Sequence, residues 1–597
     1  MKQTGCFLRW AGWAVLCFLG FSAAAADPYV GYLYPSGAET GRSLRLLVGG
    51  QNLGGINSGI VTGSGVTVRK VTPVPNFPPP DGGQREYLLE WIKNIESGNP
   101  VRPKLPEKTD TWRKNEWWDK LDQLDPMSLN LVICDLYTKR NALQSAPSIR
   151  QQLIVDIDIA PGAKPGAREL RLWGNRGVSG PKLFFVDAAR HIAEPEFTPP
   201  NKPEPPPPQV TVIPSILDGQ IMPGETDRFK LRLEENCSYS MALDGRRLLP
   251  FIGDAVPGFF QPVLRLLDPD GKEVAFADDE HFNPDPILRV RAPKSGIYTL
   301  EVRDNLYRGR ADFVYRIQVE SGTRPYRLGG EPFRGLPLQM AAAAEKRTIS
   351  TGWFQVIEGH VEPGRPAVFK LSGKVGKQLV VDVAARRFGS PLDGVLRLYG
   401  PNGKLVAEAD DTPSKLNIGL CLQQVDPYLA VTLPMSGDYR LELFDRTGGG
   451  GEDWQYRMRI GPPRPDFDAY TTQSMLNLPP GGTGTIKLYI VRHDGFKGEI
   501  RFRAEGAELV GDRTAAADAT EIELQLKNTG AAVKPFSPGL VRLIGETVID
   551  GKKFEKEVVP CDEYMQAFAY THLLPAEELR VGTLGWGGRN NRRERKK

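Results

Sequence analysis

Histidine and cysteine are scarce in this 597-residue chain, and both shortages bear on its chemistry. Its five histidines, His191, His281, His360, His493 and His572, stand singly, without HExxH or any H-x-H pair, so the zinc-hydrolase signatures are absent. There is no GxSxG nucleophile elbow and no phosphate-cradling GxxxxGK(S/T) loop; Gly373-Lys-Val-Gly-Lys377 lacks both the spacing and the hydroxyl. Two of the six cysteines fall in the first 26 residues. The others, Cys134, Cys237, Cys421 and Cys561, lie more than 100 residues apart in different proposed units, which reads as buried free thiols rather than a disulfide framework. No CxxC is present. Beyond residue 26, no apolar run approaches the ~20 residues of a bilayer span. Neither sign of charge dominates, with 76 basic and 72 acidic residues. Six of the bases crowd into 589–597 against one acid, Glu594, leaving the body slightly acidic and without the basic face a nucleic-acid module needs.

Glycine and proline, by contrast, are plentiful at 64 and 51, which indicates a folded, turn-rich and β-dominated chain. The length predicts roughly four domains at ~150 residues each. Lys2 and Arg9, the apolar stretch Trp10–Phe21 and the small residues Ser22-Ala-Ala-Ala-Ala26 form the three parts of a secretory signal peptide over 1–26. Leu16 stands before Cys17 where a lipobox wants a small residue, which argues against lipid attachment. The expectation is export to the periplasm, the cell surface or the medium.

The strongest signal is an internal repeat. Phe229-Lys-Leu231 recurs as Phe369-Lys-Leu371, and the run from Val263 to Asp279 recurs from Val395 to Asp411. Ser295-Gly-Ile-Tyr-Thr-Leu-Glu-Val-Arg-Asp304 recurs as Ser436-Gly-Asp-Tyr-Arg-Leu-Glu-Leu-Phe-Asp445, and Tyr315-Arg-Ile-Gln-Val319 as Tyr456-Arg-Met-Arg-Ile460. Four blocks in order, with a period far above 50 residues, mean two homologous domains rather than solenoid turns. Each block alternates apolar and polar residues between Asp-Pro-Asp-Gly or Pro-Asn-Gly turns, which predicts antiparallel sheets packed as sandwiches. The fold class expected is therefore all-β: tandem jelly-roll or Ig-like β-sandwiches with a helical insertion in the N-terminal domain.

The predicted organisation is a β domain over 27–190, interrupted by a helical insertion at about 83–145, where Leu88, Trp91, Ile92 and Ile95 recur at helical spacing. A proline-rich linker follows over 191–209, then sandwiches over 210–322, 323–463 and 464–575, and a basic disordered tail over 576–597.

Gly296-Ile-Tyr-Thr-Leu-Glu-Val302, with Leu267-Asp-Pro-Asp-Gly271 and Ala277-Asp-Asp279 upstream, resembles the bacterial pre-peptidase C-terminal (PPC) domain. Tyr34-Pro-Ser-Gly37 followed by Val48-Gly-Gly-Gln-Asn-Leu53 is similar to the opening of an IPT/TIG immunoglobulin-like domain. Together these resemble large exported bacterial proteins that combine such modules. The resemblance implies jelly-roll-like sandwiches and no particular activity, and it leaves no protease domain over for the PPC units to serve.

Two candidate sites emerge. Asp268, Asp270, Asp278 and Asp279 bracket a hairpin and offer hard oxygens to calcium; the competing reading is a turn capped by Asp with Gly at positive φ, and the second copy replaces the first two by Gly400 and Asn402. The second is the apolar stretch Leu248–Phe260, longer than its counterpart in the second copy. With Phe251, Phe259 and Phe260, and with Tyr307 and Arg308 beside it, it reads either as a ligand-binding patch or as a hydrophobic lid. Trp112, Trp117 and Trp118 of the insertion read as core. The chain is thus expected to be an exported, non-catalytic binding or structural protein whose partner is an envelope or extracellular protein or polysaccharide. An accessory substrate-attachment component of a secreted protease or polysaccharide-degrading system is the alternative, and an unrecognised hydrolase the second.

Overall fold

The computed structural model describes residues 27–137, 149–194, 209–250, 260–322, 338–340, 348–351, 355–412, 425–529, 537–566 and 570–585. The leader over 1–26, most of the proline-rich stretch, Phe251, Phe259, Cys421 and the charged end from 586 onward lie outside them. Among the described residues, no helix is long and apolar enough to cross a membrane.

Among the described residues, eight sheets pack face to face as four sandwiches, each around its own apolar core, and a ninth, two-stranded sheet pairs Cys561–Gln566 with Tyr570–Pro575. Alternation builds them. In Asp227–Leu233, Phe229, Leu231 and Leu233 are buried while Arg228 and Arg232 face water. The second and third sandwiches share one topology. In the second, one sheet runs Arg190–Ala193, Ser215–Gln220, Val314–Ser321, Ser238–Asp244, Ile287–Arg291, and its partner Val210–Thr211, Asp227–Leu233, Gly296–Asp304, Pro262–Leu267, Glu273–Ala277. The third repeats both orders strand for strand, from Leu338–Met340 to Tyr428–Thr432 and from Thr348–Thr351 to Leu405–Ala409.

The sheets are not wholly antiparallel, as the alternation had led us to expect. Arg190–Ala193 lies parallel to Ser215–Gln220 and Val210–Thr211 parallel to Asp227–Leu233, because the segment entering the sandwich adds a short strand to the edge of each sheet in turn. This also corrects two boundaries. Arg190–Ala193 belongs to the second sandwich rather than to a linker, and Leu579–Thr583, placed in the tail by its charge context, is a strand of the fourth. Leu579 and Val581 are buried there, so alternation outweighs the nearby basic run. A further correction concerns Cys237, which is exposed at a strand start, while Cys561 is buried.

The insertion is helical. Asp81 caps Gly82–Glu96 by accepting the Gln84 N–H at 2.7 Å, and Gly98 at φ +78° follows its end. Trp91, Trp117, Trp118, Leu121 and Val132 pack with Ile154 of the first sandwich, so these tryptophans serve as core.

The four sandwiches also contact one another in sequence, and the last returns to the first. Arg171, fully buried, donates to the Ser474 carbonyl at 3.3 Å, the Ser474 hydroxyl at 3.1 Å and the Glu578 carbonyl at 2.7 Å. Asn477 binds Val178 through both N–H and C=O. The string of sandwiches closes on itself.

Candidate functional site

The best-defined loop geometry in the repeat surrounds Asp304, at the end of strand Gly296–Asp304. Its fully buried carboxylate accepts the backbone N–H groups of Gln261 at 3.0 Å, Leu306 at 3.0 Å and Arg308 at 3.2 Å, and the Arg308 guanidinium at 2.8 Å. Although burial raises its pKa, these donors outweigh it and hold the carboxyl below the usual range. The turn so clamped thrusts Leu306 and Tyr307 outward, 68% and 57% exposed. The Arg303 guanidinium lies 4.5 Å from the Tyr307 ring centre.

The third sandwich builds the same turn on Asp445. That carboxylate accepts the N–H groups of Asp393 at 2.9 Å, Thr447 at 3.0 Å and Gly449 at 2.9 Å. The residue equivalent to Tyr307 is Gly448, at φ +79°. Tyr307 itself sits at φ +55°, in the left-handed region that a side chain other than glycine's enters at a cost of about 1–2 kcal/mol.

The other residues expected here divide. Phe251 and Phe259 lie outside the described residues. Phe260 is not a surface group: it is buried in the second core, its ring 5.3 Å from that of Phe313. Leu248 and Leu249, at the other end of the same stretch, are buried against Tyr32, Leu47 and Phe185 of the first sandwich. Both described ends of the stretch thus pack inward, because an apolar segment at a sandwich contact is driven out of water. Arg308 is committed to Asp304, which makes it a holder of the turn rather than a free cation.

The four aspartates proposed for calcium are not brought together. Asp268 and Asp270 sit at the hairpin turn, where Asp268 accepts the N–H groups of Asp270 and Lys272 at 2.9 Å and both carboxylates pair with Lys294. Asp278 and Asp279 lie at the other end of the five-residue strand Glu273–Ala277, about 17 Å of extended chain away. A hairpin joins its strands at one end only, so the two pairs flank it rather than converge. Among the described residues, the metal-ligating side chains that do converge are Glu280, His281 and Asp453, between the second and third sandwiches, with ligand atoms within 4.8 Å of one another. Arg289 already engages both Glu280 oxygens, at 2.8 and 2.9 Å, so that carboxylate is paired without an ion.

Residue patterns alone did not single out Asp304, Asp445, Arg303 or Leu306. The two aspartates were nonetheless visible, since both close the block that recurs between the copies.

No protein-family model matches the chain, and no curated protein does. Among solved structures it is similar to a candidate secreted protein from Eubacterium rectale, at 9% identity over 31% of this chain and 74% of that one, with a TM-score of 0.16. The fibronectin(III)-like modules of Clostridium thermocellum CbhA align at 13% identity over 38% of this chain and 93% of theirs, with a TM-score of 0.12. The N-terminal four Ig domains of Dscam1 isoform 4.4 align at 10% identity over 69% and 85%, with a TM-score of 0.11. At such scores the likeness carries no argument about function, and the all-β sandwich class rests on the sheets themselves.

Proposed function

We propose that this chain is an exported, non-catalytic β-sandwich protein that binds an envelope or extracellular protein or polysaccharide through the turn presenting Leu306 and Tyr307. One observation carries the reading. An aromatic side chain occupies a left-handed position that the sister turn fills with glycine, and it is spent on the surface rather than in the core. A strained, exposed aromatic on a turn held by five hydrogen bonds is a pre-organised contact residue: little ordering entropy is lost when it meets a partner. The PPC-like and IPT/TIG-like resemblance of the sequence agrees with an attachment role.

The test is recovery of envelope proteins and polysaccharides by the immobilised protein, compared between the parent and Tyr307→Gly. Tyr307→Gly should lose at least about 1.4 kcal/mol of binding, a tenfold drop in affinity, while melting no lower than the parent. Equal affinities would remove Tyr307 from the binding surface, and degradation of casein or of a glycan panel by the purified protein would overturn the non-catalytic assignment.

A further inference from the structure

The second and third sandwiches meet at a tight turn from Glu280 to Asn283, which follows strand Glu273–Ala277. The turn is closed in both directions: the Glu280 N–H donates to the Asn283 carbonyl at 2.8 Å and the Asn283 N–H to the Glu280 carbonyl at 2.9 Å. The third sandwich grips it twice. The Arg386 guanidinium lies 3.6 Å from the centre of the Phe282 ring, and Trp454 meets the His281 ring edge-on, with centres 5.0 Å apart. His281, so held, brings Nε2 to 3.1 Å from Asp453 Oδ2. A Glu280 oxygen completes the group, one ligand atom from each residue lying within 4.8 Å of the others.

The repeat shows that these groups are an addition to the fold. Backbone bonds match the two copies: Arg310 N–H to Ile221 and Phe313 N–H to Arg310 in one, Gly451 N–H to Val361 and Trp454 N–H to Gly451 in the other. Asp453 is therefore the counterpart of Asp312, which is buried and held by both arms of the Arg310 guanidinium. Gly451 has no side chain to do the same, which leaves the Asp453 carboxylate facing His281 and 32% exposed, within reach of an ion from solvent. At the other corner, Asp278-Asp279 continues as Glu280-His281, whereas the recurring Asp410-Asp411 continues as Thr412-Pro413. The same topology forms without the pair, so folding does not account for it.

We propose that Glu280, His281 and Asp453 bind one divalent transition cation of the zinc class, which ties the second sandwich to the third. The donor set makes the selection: one imidazole nitrogen with two carboxylate oxygens suits zinc, whereas calcium asks for an all-oxygen shell and magnesium keeps most of its waters. Ligand atoms on a tetrahedral zinc stand about 3.3 Å apart. The His281–Asp453 pair is already near that spacing, and Glu280 needs only a small rotation to join it. Arg289 does not stand in the way. Its bonds to the two Glu280 oxygens use one lone pair on each, so the second pair is available to the metal and the guanidinium becomes the outer partner that orients the ligand. Two carboxylates against one guanidinium also leave a net negative charge for a dication to meet. His281 binds as the neutral ring, through Nε2 with its proton on Nδ1, and water fills the fourth position.

The full chain, stripped with EDTA and dialysed, tests this by titration with zinc chloride alone and with cobalt chloride as its spectroscopic stand-in. One equivalent of zinc should bind and raise the melting midpoint, deuterium exchange of the Glu280 and Asn283 amides should slow, and cobalt should give the intense visible band of a four-coordinate centre. His281→Gln and Asp453→Asn should each weaken zinc uptake by more than the ~10–100-fold that loss of an outer partner costs, and should abolish the cobalt band. His360→Gln, at a histidine paired with Glu362 elsewhere in the third sandwich, should change neither. No uptake, uptake unchanged in both ligand variants (an adventitious ion only), or calcium bound as tightly as zinc overturns the site. The parent's cobalt spectrum decides independently of any variant, since only the weak band of a six-coordinate ion there overturns it too.

Discussion

Tyr307 illustrates how one residue separates stability from use. Its backbone conformation costs about 1–2 kcal/mol, partly offset by about 0.5–1 kcal/mol of stacking with Arg303. Tyr307→Gly should accordingly leave the midpoint of urea unfolding unchanged or raise it, within about 1 kcal/mol. Arg171 behaves in the opposite way. Fully buried, with Glu169 at 3.6 Å and three acceptors from the fourth sandwich, it cannot be shortened without stranding a buried acid and several carbonyls. Arg171→Ala should cost about 3–5 kcal/mol, read as a lowered urea midpoint and as new proteolysis near Glu577.

Among elements, the paired turns after Asp304 and Asp445 invite a matched experiment. A Cβ on Gly309 would lie 2.0 Å from the Met222 backbone, and one on Gly450 2.2 Å from the backbone nitrogen of Pro363. Gly309→Ala and Gly450→Ala should therefore destabilise by similar amounts, about 1–3 kcal/mol each, in thermal melts, and only the former should also weaken binding. Elements of this kind were largely legible in the sequence. The repeat blocks fall on matching strands, and the alternation around Phe229 and Tyr439 predicts which side chains are buried. The parallel edge strands were not legible, because two to four residues such as Val210–Thr211 are too short to show a period. Nor was the inward turn of Phe260, since an apolar loop reads the same whether it meets a ligand or a neighbouring sandwich. Convergence across a hairpin likewise depends on register, and the distance between Asp268 and Asp278 is absent from their spacing.

At the scale of the whole molecule, the first sandwich is held twice, by the second through His191 and Tyr34 and by the fourth through Glu169, Arg171 and Asn477. Burial pushes Glu169 up to about 7, where its Oε1 accepts the Glu577 N–H at 2.8 Å. An acid whose folded value is raised contributes stability that is full below its unfolded value, about 4.5, and is lost as pH rises through about 7. The urea midpoint of the full chain should therefore fall between pH 5 and pH 8, and Glu169→Gln should shrink that fall.

The return of the fourth sandwich to the first also imposes an order of assembly. A polypeptide is made from its N-terminus, so Arg171 exists 303 residues before Ser474 and 407 before Glu578. Until the fourth sandwich has been made, the guanidinium destined for the contact between the two ends lacks its Ser474 and Glu578 acceptors and keeps only the neighbours of its own sandwich, Glu169 and the Ser179 carbonyl. A chain stopped short of that sandwich would carry an N-terminal sandwich with an open, charged flank, recognisable as unfinished to any protease that samples it.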